Sequence, residues 1–226
     1  MKLRTNDNGP LAGEYEGIKR DLIVAAGELF ADKGVEGTSV RAIAKRCGAN
    51  IAAINYHFGS KENLYTEVLR YAMTETRCSV AQELLKDDTW FTAPAKKAAA
   101  VRMIVKEYFL QYFSTKRPSW LGRVLILSMV YPTASMEVAT RQMKTPENEA
   151  LMKVFQRCKP GLPTEQAQFF ALSLVGQIAF YVLAKAGILA ALGKTTYDEA
   201  FLNKAEKHIG DLILTSLGLP LTGTVS

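Results

Sequence analysis

The chain has 226 residues, 48% hydrophobic and 22% charged, with a formal net charge of +6. That composition excludes a disordered or fibrous chain and leaves room for one large domain, or a small domain plus a larger one. A basic balance admits an anionic partner without naming it.

The N-terminal stretch MKLRTNDNGPLAGEYEG lacks the apolar run of a signal peptide and reads as an arm. Ile18, Leu22, Ala25, Ala26, Leu29 and Phe30 then make one apolar face of a first helix. It stops near Lys33-Gly34, where glycine suits a left-handed turn. Thr38 or Ser39 caps a second helix, whose buried face is Val40, Ile43, Ala44 and Cys47 at i, i+3, i+4 and i+7. Gly48 breaks the chain. Asn50 caps a third helix with Ile51, Ile54 and Phe58 turned inward, and Ser60 caps a long fourth helix reaching about Leu85. A polar region follows near Lys86–Thr92.

The second half repeats helix and breaker. Helices are expected over about Pro94–Ser114, Ser119–Tyr131, Ser135–Cys158, 164–191 and 197–217, separated by Pro118, Pro132 and the Pro160-Gly161-Leu162-Pro163 turn. Residues 169–193, FFALSLVGQIAFYVLAKAGILAALG, are long enough to span a membrane. Gln177, Lys185 and the glycines at 176, 187 and 193 favour instead a buried helix followed by a break. No alternating strand pattern occurs, so the expected fold is all-α.

Charge and spacing single out one region. From Thr38 to Lys61 the charged residues are Arg41, Lys45, Arg46 and Lys61, with no Asp or Glu among them. Two short helices joined by the turn at Gly48-Ala49 form a helix-turn-helix. With Ile51, Ile54 and Phe58 inside, Ala52, Ala53, Tyr56 and His57 project outward together. Bare alanines let a helix axis sink into a DNA major groove, and an alanine methyl can touch a thymine methyl.

Tyr56 and His57 would donate to phosphates flanking the groove. Asn50 and Asn55 would reach base edges, unless Asn50 only caps. Lys61 adds charge to a helix N-terminus that already favours an anion. Arg41 and Lys45 are further phosphate candidates, and Thr38 and Ser39 at the start of the second helix complete the set. Each residue also has an ordinary reading: an exposed histidine, a packing tyrosine, two helix-forming alanines. Their joint placement favours DNA.

Residues 18–65, IKRDLIVAAGELFADKGVEGTSVRAIAKRCGANIAAINYHFGSKENLY, resemble the DNA-binding domain of the tetracycline-repressor (TetR) family. The likeness rests on the Ala-x-x-Leu-Phe run ending at Gly34, Thr38, Ile43-Ala44, Gly48, Tyr56-His57-Phe58 and Ser60-Lys61-Glu62-x-Leu64. Residues 125–163 and 174–188 resemble the C-terminal domain of CecR-type regulators in that family. The resemblance implies a three-helix helix-turn-helix domain over 15–64, its motif at about 41–60. It also implies a larger helical domain over 65–220 for effector binding and dimerisation. Residues 50–57 would be the recognition helix, with Asn50 where the family usually has serine.

In the larger domain, residues 169–183 are apolar nearly all round, which suits a two-fold four-helix interface. Phe169, Phe170, Leu174, Ile178, Ile209 and Ile213 are its candidates; the alternative is burial within one chain. An effector pocket would lie among Tyr108, Phe109, Tyr112, Phe113, Trp120, Arg123, Met129, Gln177 and Tyr181. Most of these equally suit a core. Arg123 would bind an anionic ligand or pair with an acid such as Glu107.

No nucleophile–base pair, phosphate-cradling glycine loop or carboxylate pair points to an enzyme. Three distant cysteines and two histidines offer no metal spacing, so no cofactor is expected and the compartment reads as cytoplasmic. The sequence therefore predicts a homodimeric regulator, a repressor released from a palindromic operator by a small-molecule effector, without a membrane. Its rival is a helical ligand-binding or scaffold module without specific DNA binding, which would carry mixed charges over 38–61.

Overall fold

The computed structural model describes residues 16–133 and 145–221, and every regular element among them is helical. In chain order these are α1 (Ile18–Lys33), α2 (Val40–Cys47), α3 (Ile51–Phe58), α4 (Lys61–Glu75) and α5 (Val80–Leu84). A 3₁₀ turn at Asp88–Phe91 leads to α6 (Pro94–Phe113) and α7 (Trp120–Val130). The rest are α8 (Thr145–Cys158), α9 (Thr164–Leu183), α10 (Lys185–Ala191) and α11 (Glu199–Leu217). The expected start of α8 at Ser135 lies outside the described residues.

Local chemistry sets the boundaries. Ser39, Asn50 and Ser60 each sit in extended backbone and accept a hydrogen bond from Ala42 N (3.2 Å), Ala52 N (3.0 Å) and Asn63 N (3.1 Å). Each satisfies a donor that the helix start leaves unpaired. Gly48 adopts φ 69°, ψ 19°, the left-handed stop that lets the chain reverse between α2 and α3.

Two expected long helices are broken. α4 ends at Glu75 rather than near Leu85. Thr76 leaves helical geometry and its buried hydroxyl donates to Ala72 O at 2.8 Å, in the manner of threonine competing with the ladder. The expected helix 164–191 divides at Ala184, whose ψ of 12° separates α9 from α10.

The chain forms two compact units. The first takes the described residues up to Arg77 together with those from Pro118 to Thr133; α7 packs on both α1 and α4. Its core joins Leu22, Ile23 and Phe30 of α1, Ile43 of α2, Ile54 of α3 and Leu64, Val68 and Leu69 of α4 to Trp120, Leu121 and Val124 of α7. Phe30 and Tyr65 meet edge to face at 5.3 Å, a favourable quadrupole geometry.

The second unit takes Cys78–Arg117 and the described residues from Thr145 on. α6 is its central helix, packing on α5, α8, α9 and α11. α9 is long and apolar enough to cross a membrane by length and composition, with a mean hydropathy of 1.4, yet only 22% of that window is buried within the chain. Sequence reasoning expected it buried on more than one side. It buries one stripe here: Ala167, Ala171, Leu174 and Ile178.

Candidate nucleic-acid interface

α3 has eight residues, too few to hold helical shape unaided. Its position comes from its neighbours. Ile54 and Phe58 plug into the core. Asn63 Nδ2, in the first turn of α4, donates to Phe58 O at 3.0 Å, closing the C-terminal end. Lys61 Nζ reaches back to Val35 O at 3.0 Å and Thr38 O at 3.4 Å, tying α4 to the loop before α2. The helix-turn-helix is thus gripped at both ends by one turn of α4.

This frame leaves Arg41, Lys45, Asn50, Ala52, Asn55 and Tyr56 exposed on one unit, with Tyr56 at 85% exposure. Ser39 is exposed beside them while its hydroxyl caps α2. Asn50 Oδ1 is engaged in capping α3, and its amide NH₂ remains to donate. Arg41 and Lys45 make no ion pair among the described residues, whereas Arg46 is held by Glu28 at 2.6 Å.

Other expected residues sit differently. Ala53 is half-buried and packs against the core. Ile51, expected inside, is 37% exposed beside Asn55. His57 is half-buried, its ring edge-to-face with Tyr56 at 5.0 Å. It walls an open cleft of about 340 Å³ together with Phe58, Lys19, Asn63 and Arg70. Lys61 is partly buried and spends its ammonium on backbone carbonyls.

Thr38 departs furthest: it is 3% exposed, and its hydroxyl faces Gly34 O at 2.7 Å and Leu29 O at 3.3 Å. Its side chain closes the α1–α2 loop from inside. A threonine beside a serine cap was visible in sequence, but which hydroxyl turns outward depends on the loop.

Residues 22–68 match the family described as "Bacterial regulatory proteins, tetR family". Residues 98–219 match the family described as "HTH-type transcriptional dual regulator CecR, C-terminal domain". The chain is a TetR-family transcriptional regulator with a CecR-type C-terminal domain.

The TetR-family chain is 27% identical over 219 residues to the transcriptional dual regulator CecR of Shigella flexneri, covering 93% of this chain and 97% of that protein. It is 35% identical over 60 residues to the transcriptional repressor KstR2 of Mycobacterium tuberculosis, covering 26% of this chain and 30% of that protein. Among solved structures, the fatty acid degradation regulator FadR from Bacillus halodurans superposes with a TM-score of 0.63 at 19% identity, covering 88% of this chain and 96% of that chain. That last likeness is one of fold.

In the second unit of this TetR-family regulator, Tyr108, Phe109, Tyr112, Phe113 and Tyr181 border one core, and Phe113 and Tyr181 both meet the ring of Tyr197. Tyr108 and Phe109 are buried on α6, and Phe109 lies 4.6 Å from Phe113. Tyr112 and Phe113 are half-buried against the same core. Burial, with Glu147 and Cys78 nearby, pushes the Tyr112 phenol up to about 12 and raises Tyr108 too, so both remain neutral donors at ordinary pH. Gln177 donates to Ser173 O of its own helix at 3.2 Å, and Tyr181 stands edge-on to Tyr197 and Phe201. Trp120, Arg123 and Met129 belong to the first unit: Trp120 in its core, Arg123 and Met129 exposed. Six of the nine candidates thus belong to the second unit and three to the first.

The interface candidates divide as well. Leu174, Ile178, Ile209 and Ile213 are core residues, and Phe170 packs on Phe155 at 5.7 Å. Phe169 faces out, and with it Leu172, Phe180 and Leu183. These four and Gly176 repeat at 3, 4, 4 and 3 residues, one continuous helix face. Of this face only Phe169 was among the interface candidates, because the two apolar stripes of α9 were not separated in the sequence.

Proposed function

We propose that this regulator binds a palindromic operator as a homodimer, through the outward faces of α2 and α3, and that a small-molecule effector releases it. The observation that carries the DNA reading is the acid-free stretch from Ser39 to Tyr56, with Arg41 and Lys45 exposed and outside any ion pair among the described residues, built on helices held by Lys61 and Asn63. Ala52 would lie against a base methyl and Asn55 at a base edge. Arg41, Lys45, Tyr56 and His57 would contact phosphates and fix the register.

The exposed stripe of α9 supports the dimer. Four large apolar side chains on one face form a contiguous patch of the kind that marks an association surface, and Leu212 of the adjoining α11 is exposed too. To read a palindrome, the two recognition helices of such a dimer would sit about one DNA turn apart, roughly 34–36 Å. The effector would act by preferring a dimer with another spacing, its effect bounded by its differential affinity for the two states. Tyr108 and Tyr112 are its hydrogen-bond donors in this reading, and the compartment is the cytoplasm.

The test is fluorescence anisotropy with DNA from upstream of the chain's own gene, and with duplexes selected from a random pool, against scrambled DNA at two salt concentrations. Sequence-dependent binding with a steep salt slope is expected. Equal, weak binding to all duplexes would instead favour a helical module without DNA specificity.

A further inference from the structure

In the middle of α1, Gly27 lies under the indole of Trp120, the first residue of α7. A Cβ at Gly27 would stand 2.3–2.6 Å from three ring carbons, so no larger residue fits while the ring stays where it is. Tyr71 of α4 stacks on the same ring at 6.1 Å and 14°. Tyr71 in turn accepts a hydrogen bond from Arg20 of α1. One side chain therefore touches both α1 and α4. At the far end of α7, Ser128 hydrogen-bonds Tyr65 of α4.

The cost of this arrangement is also in the indole. Trp120 Nε1 is buried and has no hydrogen-bond acceptor. A buried donor left unmade is destabilising and calls for a physical reason. α4 carries the recognition helix, since Asn63 and Lys61 bond directly to Phe58 and to the loop before α2. The link Ser114–Ser119 connects α6 to α7 in the chain.

We propose that Trp120 is a positioning residue for the recognition helix, and that its unsatisfied indole N–H keeps the head poised between two arrangements of α7 on α1 and α4. In the arrangement described here the ring sits over Gly27 and the N–H is unpaired. In the other, α7 shifts, the N–H gains an acceptor, and α4 turns with α3 attached. The inference rests on the DNA reading above for its functional meaning, but not for its mechanics.

The two arrangements respond oppositely to two substitutions. Trp120→Phe keeps an aromatic ring between α1 and α4 and deletes the lone donor, removing the penalty carried by the arrangement described. Gly27→Ala drives a methyl into the ring and disfavours it; Tyr71→Leu, which loses the stack and the Arg20 hydrogen bond but adds no clash, is the gentler second variant. DNA affinity, measured on a duplex that the wild type selects from a random pool, should move by about fivefold or more in opposite directions for Trp120→Phe and the other two. Hydrogen exchange over residues 51–75 should slow in the first and quicken in the others, while exchange in α8 and α9 stays unchanged. A merely structural tryptophan would weaken stability and affinity together in all three variants, and that outcome overturns the proposal. So does a change below twofold in every variant. If the wild type selects no duplex, the DNA reading fails on its own, and hydrogen exchange alone decides whether Trp120 positions α4.

Discussion

Replacing Phe180 with glutamate tests the dimer at the middle of the α9 stripe. Within one chain Phe180 is 62% exposed, and its stripe neighbours Phe169, Leu172 and Leu183 are 58%, 49% and 46% exposed. The substitution should therefore leave the fold of a single chain nearly untouched. In a two-fold interface every change occurs twice. Losing one buried phenylalanine costs about 2–3 kcal/mol, so two cost about 4–6 kcal/mol. At about 1.4 kcal/mol per tenfold change, the dimer dissociation constant should rise by roughly 10³ to 10⁴. Facing carboxylates would add repulsion. The assay is sedimentation velocity over a concentration series, with far-ultraviolet circular dichroism to confirm the helices. A variant that stays as dimeric as the wild type would refute the stripe as the interface. A monomeric wild type would refute the dimer itself.

Three further outcomes follow from the same geometry. Tyr56→Ala combined with His57→Ala should weaken operator binding at least tenfold and reduce the salt slope, while thermal unfolding moves little, since Tyr56 is mostly exposed; parallel loss of folding would show that these residues serve packing. Thr38→Val keeps the volume and deletes the hydroxyl facing Gly34 O and Leu29 O, so urea titration should show a loss of about 1–3 kcal/mol, with any change in DNA affinity following the loss of stability. Asp211 is held below its ordinary carboxylate range by Lys207 at 2.6 Å and Arg102 at 2.5 Å. A carboxylate with a lowered folded pKa contributes stability above the ordinary aspartate value and loses it as pH falls through the lowered one; Asp211→Asn should flatten that acid-side decline in thermal melts.

Much of the fold was legible because periodicity and caps agree. Ser39, Asn50 and Ser60 all cap where their residue types and the following apolar spacing placed them. The two misjudged helices, beyond Glu75 and at Ala184, have no proline or glycine at the break; a threonine hydroxyl and a local dihedral change end them, and neither leaves a pattern in sequence. For the candidate site, helical phase correctly turned Tyr56 outward and Ile54 inward. It could not anticipate the exposure of Ile51, which sits at the first turn where the core does not yet reach. The side-chain fates of Thr38 and Lys61 depend on loop carbonyls brought near by the tertiary fold. Those long-range partners carry no local signature.

The first unit is assembled from two separated stretches of sequence, and this bears on how such heads can be exchanged between regulators. The family likeness of the head spans residues 22–68, which invites a single cut soon afterwards when a chimera is made. Such a cut would discard α7 and strip Trp120, Leu121, Val124 and Leu125 from the core. The grafted head would expose the apolar grooves of α1 and α4 and inherit whatever wall its new host supplied. A transplant that carries Pro118–Thr133 along with the head would keep its own wall. Any helix that replaces α7 against this head has to complement a glycine at position 27.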